Sequence, residues 1–153
     1  MTTKAVINKV LENAKTYTKN YLDAMPADGY DLRPIPEIRS FAQQMLHLAD
    51  ATYYFICIAS GKPSPIGQVS AEQTIAPTKI DTTNAVLDSY DFFAQAVNEM
   101  TDEQLEETVS FGALEVPKLA MIIKAYEHQA HHRGQAAVYL RLQGVVPSDG
   151  IIF

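Results

Sequence analysis

A chain of 153 residues, 47% of them hydrophobic, can bury a substantial core without staples, and its single cysteine, Cys57, excludes an internal disulfide. Twelve basic residues against 18 acidic ones give a net charge of −6 with no basic run or stripe; this excludes the phosphate-neutralising footprint of nucleic-acid binding and disfavours an anionic membrane surface. No apolar run approaches the roughly 20 residues of a membrane span, and the stretch Met1–Val6 lacks the apolar core and cleavage site of a signal peptide, so the expected address is the cytoplasm.

Apolar residues at three- and four-residue steps (Val6, Ile7, Val10, Leu11, Ala14, Tyr17, Tyr21, Leu22) predict a first helix over Thr3–Met25 with one buried stripe. Pro26 and Gly29 stop it. A second helix is predicted over Pro36–Ser60, because Pro36 suits a first helical turn and Glu37 the positive end of the dipole. One flank carries Phe41, Met45, Leu48, Thr52, Phe55 and Ala59, and another carries Gln44, His47, Ala51, Tyr54 and Ile58, both looking inward. So wide a surface implies contact with two neighbouring helices. Cys57, inside the apolar run Tyr53–Ile58, reads as a small core hydrophobe.

From Gly61 to Asp81, Pro63, Pro65, Gly67 and Pro77 leave no helical period. A connection this long is unusual unless it has a job. A helix of about 25 residues is roughly 37 Å long, and a connection of about 20 residues can return the chain to its starting end. The second and third helices would then run parallel, where short loops would force antiparallel neighbours. The third helix is predicted over Thr82–Met100, capped by Asp81, Thr82 or Thr83 and facing inward with Ala85, Val86, Leu87, Tyr90, Phe93, Ala94 and Val97. Thr101-Asp102-Glu103-Gln104 has the form of a capping box opening a short helical turn. Thr108–Leu114, with Gly112, is an irregular or hairpin-like excursion. The fourth helix runs from near Pro117 to Gln143, with Gly144 at its stop and Pro147 beyond. The whole, residues 1–153, is expected to be one all-α four-helix bundle domain.

Three of the four histidines fall in the segment Tyr126–Gln135. His128 and His132 are four apart, so their side chains leave one face of the fourth helix a turn apart. On a helical wheel that face also holds Met121, Ala125 and Tyr139, which turns both imidazoles towards the interior. His47 shares an inward direction with Ala51, Tyr54 and Ile58. Unpartnered imidazoles are costly to bury, and coordination to one metal ion removes that cost. Three histidines would leave one position open, the pattern of catalytic rather than structural sites. The residues alone leave the plainer reading open, in which these are satisfied polar groups of a bundle core. His131 points about 80° away from the pair, as a residue behind the ligands or on the surface would. Gln44 and Gln135 lie on the site faces and are placed to orient water or a ring N–H; Tyr54 is a further candidate, and these three with His131 are expected either to support the ligands or to contact substrate, while Arg133 reads as a hydrogen-bonder of the bundle or an interface. The histidine spacing is that of zinc-protease helices, but those need a glutamate right after the first histidine as general base, and here Gln129 stands there. Imidazole donors suit zinc, nickel, iron or copper and do not by themselves choose among them; the metal expected here is zinc or nickel.

The segment His128-Gln129-Ala130-His131-His132-Arg133-Gly134-Gln135, continuing through Tyr139-Leu140-Arg141-Leu142-Gln143-Gly144 to Pro147, resembles the C-terminal signature of the DinB (DinB/YfiT-like) superfamily. A histidine in a second-helix stretch like Gln43–Asp50 belongs to the same resemblance, which spans nearly the whole chain. It implies an up-down-down-up four-helix bundle, a divalent metal held by His47, His128 and His132, and a homodimer. Some relatives are S-transferases or isomerases that use low-molecular-weight thiols, and the corresponding expectation is a metal-dependent enzyme joining such a thiol to a small electrophile. The alternative is a non-catalytic metal- or ligand-binding stress-response protein. No general base is assigned.

Overall fold

The amphipathic stripes become four long helices, α1 (Thr3–Ala24), α2 (Phe41–Ser60), α4 (Lys79–Glu99) and α6 (Lys118–Leu142). Between them, among the described residues, lie a 3-10 turn (Ala27–Gly29), two short α-helices, α3 (Ala71–Thr74) and α5 (Asp102–Glu106), and an antiparallel hairpin of β1 (Thr108–Phe111) and β2 (Leu114–Pro117). The computed structural model describes residues 2–150; Met1 and residues 151–153, which the predicted domain includes, lie outside the described residues. The principal packing pairs are α2 with α6, α2 with α4, α1 with α4, and α1 with α6. The wide surface of α2 thus meets the two neighbours it requires. The core is built from Leu11, Leu22, Met45, Leu48, Phe93, Ile122 and Leu140, all buried. Arg133 acts as a bundle hydrogen-bonder: its Nη1 donates to Thr18 Oγ1 at 3.1 Å, its guanidinium stacks 4.6 Å from the Tyr17 ring centre, and the Tyr90 hydroxyl meets Thr18 Oγ1 at 2.6 Å.

The starts of α2 and α4 follow side-chain caps, whereas α6 starts directly after Pro117 with none. α2 begins at Phe41, not Pro36, because Ser40 and Gln43 form a reciprocal box in which Gln43 N donates to Ser40 Oγ (3.2 Å) and Ser40 N to Gln43 Oε1 (3.0 Å). The preceding segment turns back and satisfies two more amides of the first turn, Phe41 N donating to Leu32 O and Ala42 N to Tyr30 O. Similarly, α4 begins at Lys79 with Thr78 as its cap, Oγ1 accepting from Asp81 N at 3.1 Å; the expected caps Asp81, Thr82 and Thr83 lie inside the helix. α3 interrupts a connection in which no helix was expected. The excursion after α5 is a hairpin that continues past Leu114 to Pro117, turned at Gly112, whose φ of 61° suits glycine. The capping box at Thr101 and Gln104 is present. Val6 and Val10 are exposed and border an apolar groove with Ile123; successive residues point about 100° apart on a helix, and Ile7 and Leu11 take the buried positions.

Candidate metal centre

His47 projects from α2, and His128 and His132 project from α6 one turn apart. Their ring centres lie 5.3 Å (His47–His128), 4.7 Å (His47–His132) and 4.3 Å (His128–His132) from one another. One ring nitrogen from each falls within 4.8 Å of the other two. The Nε2 atoms of His128 and His132 are 3.1 Å apart. Two imidazoles on one tetrahedral ion, each about 2.05 Å from it, have nitrogens about 3.3 Å apart, so this pair fits a shared cation with little movement. His128 Nδ1, the ring nitrogen away from this pair, is buried without a partner. His132 is only 5% exposed, and the other two are half-buried.

All three rings are held neutral. Burial pushes His132 down to about 3 and His128 down to about 4, with each ring's charge further disfavoured by neighbouring histidines. Burial and then the Arg39 guanidinium lower His47, while Glu72 and Asp50 pull the other way. Neutral imidazoles keep the lone pairs that a metal needs.

Behind His132 runs a polar chain. Gln44, 2% exposed, places Nε2 at 2.6 Å from His132 Nδ1 and also donates to Gln135 Oε1. Gln135 Nε2 in turn lies 2.8 Å from His131 Nε2. Gln44 therefore touches the ring it was expected to orient, Gln135 supports Gln44, and His131 sits at the exposed end of the chain.

Three residues of the site escaped the sequence reading. Arg39 Nη2 lies 3.3 Å from His47 Nδ1, and Glu72 Oε2 lies 3.4 Å from the same atom. Glu72 Oε1 also accepts from Arg39 Nε at 2.9 Å. Asp50, one turn beyond His47 on α2, accepts three hydrogen bonds from the start of α3: Ser70 Oγ (2.7 Å), Ala71 N (2.6 Å) and Glu72 N (3.1 Å). The i, i+3 spacing of His47 and Asp50 was the one available signal. Nothing in the proline-rich connection marks Glu72.

His47 and His128 open onto a cleft of about 610 Å³ whose walls are largely apolar, with Phe55 and Ile58 from α2 and Ile66 and Val69 from the connection. The Phe55 ring packs edge-on to His128, centres 5.9 Å apart. Two expectations change here. Tyr54 is 55% exposed and lines this cleft instead of facing the interior, with its ring against Phe55 and Phe111 rather than any histidine. Cys57 is half-buried in the cleft wall, not in the core, and burial raises its thiol above the ordinary range. Both lie on the outer flank of α2, which the connection covers only in part. Gln129 is fully buried and donates to Thr52 Oγ1 at 3.0 Å, so the position a zinc protease gives to its base faces α2 here. A second, polar cleft of about 680 Å³ includes Arg33, Arg39, Gln44, Glu72 and Gln135. Among the described residues, no helix is long and apolar enough to cross a membrane.

Known proteins resemble the chain over half to nearly all of its length. It is 27% identical over 137 residues to the uncharacterized protein YjoA of Bacillus subtilis (strain 168), covering 85% of this chain and 84% of that one. It is 32% identical over 83 residues to YrdA of the same organism, covering 51% and 48%. Among solved structures, a DinB-like protein from Bacillus cereus ATCC 10987 superposes with a TM-score of 0.78 at 17% identity, over 93% of each chain. The crystal structure of YjoA itself superposes with a TM-score of 0.74 at 20% identity, over 90% of this chain and 92% of that one. A sequence model of the DinB family matches residues 1–149, and the chain belongs to that family.

Proposed function

We propose that this protein is a divalent-metal-dependent enzyme whose metal, zinc or nickel, is held by His47, His128 and His132, and that it joins a low-molecular-weight thiol to a small apolar electrophile. The observation that carries the reading is the convergence of three neutral imidazoles from two helices on one point, at the mouth of an apolar cleft. Bound there, the metal would favour the thiolate form of a coordinated thiol, which is the reactive form.

The chain's own residues would do the rest. Glu72 would orient the His47 ring by accepting from Nδ1–H, and Gln44 would support His132 with its amide oxygen, rather than its Nε2, turned to Nδ1–H. Phe55, Ile58, Ile66 and Val69 exclude water and favour an apolar reaction partner, which fits a carbon electrophile better than a sugar or a nucleotide. Cys57 is not the nucleophile, because its burial favours the protonated thiol. The proposal includes a single domain acting as a cytoplasmic homodimer.

Protein purified without an affinity tag should contain about one metal per chain by elemental analysis, and His132→Ala should lose it. The reconstituted protein should consume thiol with members of an electrophile panel, and a chelator should abolish that turnover while leaving the helical circular dichroism in place. Absence of metal after reconstitution sinks the site. Bound metal with no turnover on any thiol–electrophile pair leaves a binding protein.

A further inference from the structure

We propose that Asp50 is a latch for the metal centre, acting at a distance by holding Glu72 against His47. The inference rests on the metal reading above. α3 is a four-residue helix in a proline-rich connection, far too short to hold itself. Its start is tied to α2 by the Asp50 carboxylate, which takes up Ser70 Oγ and the free amides of Ala71 and Glu72. Ala71 is buried beneath this contact. With the α3 backbone fixed, the Glu72 carboxylate reaches Arg39 Nε with one oxygen and comes within 3.4 Å of His47 Nδ1 with the other.

That contact decides a tautomer. Arg39 Nη2 is also beside His47 Nδ1, at 3.3 Å, and a guanidinium only donates. When Arg39 donates to Nδ1, the ring proton sits on Nε2 and closes that nitrogen to a metal. When Glu72 accepts from Nδ1–H, Nε2 keeps its lone pair. Arg39 Nη2 and Glu72 Oε2 thus compete for Nδ1, and on this proposal the carboxylate, held at 3.4 Å while it also accepts from Arg39 Nε, tips the ring to its ligating form when the metal binds. Among the described residues the Asp50 carboxylate hydrogen-bonds only to the start of α3 and to no candidate ligand; it is a positioning residue.

Zinc affinity, read by competition with a chromophoric chelator, and amide hydrogen exchange at Ala71 and Glu72 test the idea on the full chain. Glu72→Ala should weaken zinc binding by about 10–100-fold, the usual effect of losing a partner behind a metal-bound histidine. Glu72→Gln, which still accepts from Nδ1–H, should lose less. Asp50→Ala should match Glu72→Ala and deprotect both amides, and the double variant should be no weaker than either single one. Should Asp50→Ala not fold, Asp50→Asn, which retains one accepting oxygen, carries the comparison with a smaller loss. Wild-type zinc affinity in the Asp50 variants, or full additivity in the double variant, overturns the latch while the metal centre stands. A wild-type protein that takes up no zinc overturns both.

Discussion

Acidifying the metal-free protein from pH 7 to pH 5 should destabilise it steeply, and His132 sets the scale. An imidazole in the unfolded chain titrates near 6.5. In the fold, burial first and then the charges of His128 and His47 hold His132 down to about 3. Between those values the unfolded state binds a proton that the native state does not. Stability therefore falls as pH falls through this window, and above about 6.5 this group contributes no further change. Each pH unit inside the window is worth about 1.4 kcal/mol per imidazole. From pH 7 to pH 5, His132 alone should remove about 2 kcal/mol. His128, held at about 4, adds loss of the same sign. The carboxyls whose pKa is lowered, on Glu99, Glu103 and Glu127, titrate below this interval, so it isolates the imidazoles. The assay is urea unfolding at pH 7, 6 and 5 in the presence of a chelator, on the wild type and on His132→Gln, whose amide can still meet Gln44. The wild type should lose about 2 kcal/mol more than the variant. Identical pH dependence in the two proteins would refute the claim that the fold holds this ring neutral.

Gln129→Met should raise the unfolding free energy or leave it within about 1 kcal/mol, because Gln129 Oε1 is buried with no partner and a shape-matched apolar side chain removes that unmet acceptor; urea midpoints decide it. Gly29→Ala should cost about 1–3 kcal/mol, since the new methyl would lie 2.5 Å from Met25 Sδ and 3.3 Å from Gln143 Cγ, and Met25 is itself fully buried. Iodoacetamide should alkylate Cys57 more slowly than a free cysteine at pH 7, with the rate still climbing above pH 9, as followed by mass spectrometry. Cys57→Ala should retain full metal content, which separates the cleft thiol from the histidine cluster.

The bundle was legible because its information is periodic. Ile7, Leu11 and Leu22, then Met45 and Leu48, then Phe93 and Val97 recur at helical steps, and each is buried where the period puts it. What failed was local and competitive. Pro36 and Glu37 are acceptable at a helix start, but Ser40 and Gln43 satisfy two orphan amides at once and win the boundary. Thr78 wins over Asp81 in the same way, with Asp81 left in the first turn where its charge suits the dipole. Tyr54 shares the wheel direction of His47, yet a direction says nothing of how far along the helix a neighbour extends. At the level of Tyr54 the facing wall is a cleft, so the ring is exposed.

The candidate site divides along the same line. His128 and His132 are related by one helical turn, and that relation is written in the spacing and survives any tertiary arrangement of α6. Gln44 and His47 are likewise three apart on α2, so the faces that must meet can be read before the fold is known. Glu72 and Arg39 have no such relation to the histidines. Glu72 sits 25 residues beyond His47 in a segment with no period, and it reaches the ring only because Asp50 supplies the acceptors for the first amides of α3. The contact is thus a product of hydrogen-bond satisfaction in an irregular loop, where one carboxylate in the right place substitutes for the missing repeat. A sequence with Asp50 absent would keep the same helices and the same three histidines, and on this argument would lose the partner that sets the His47 ring.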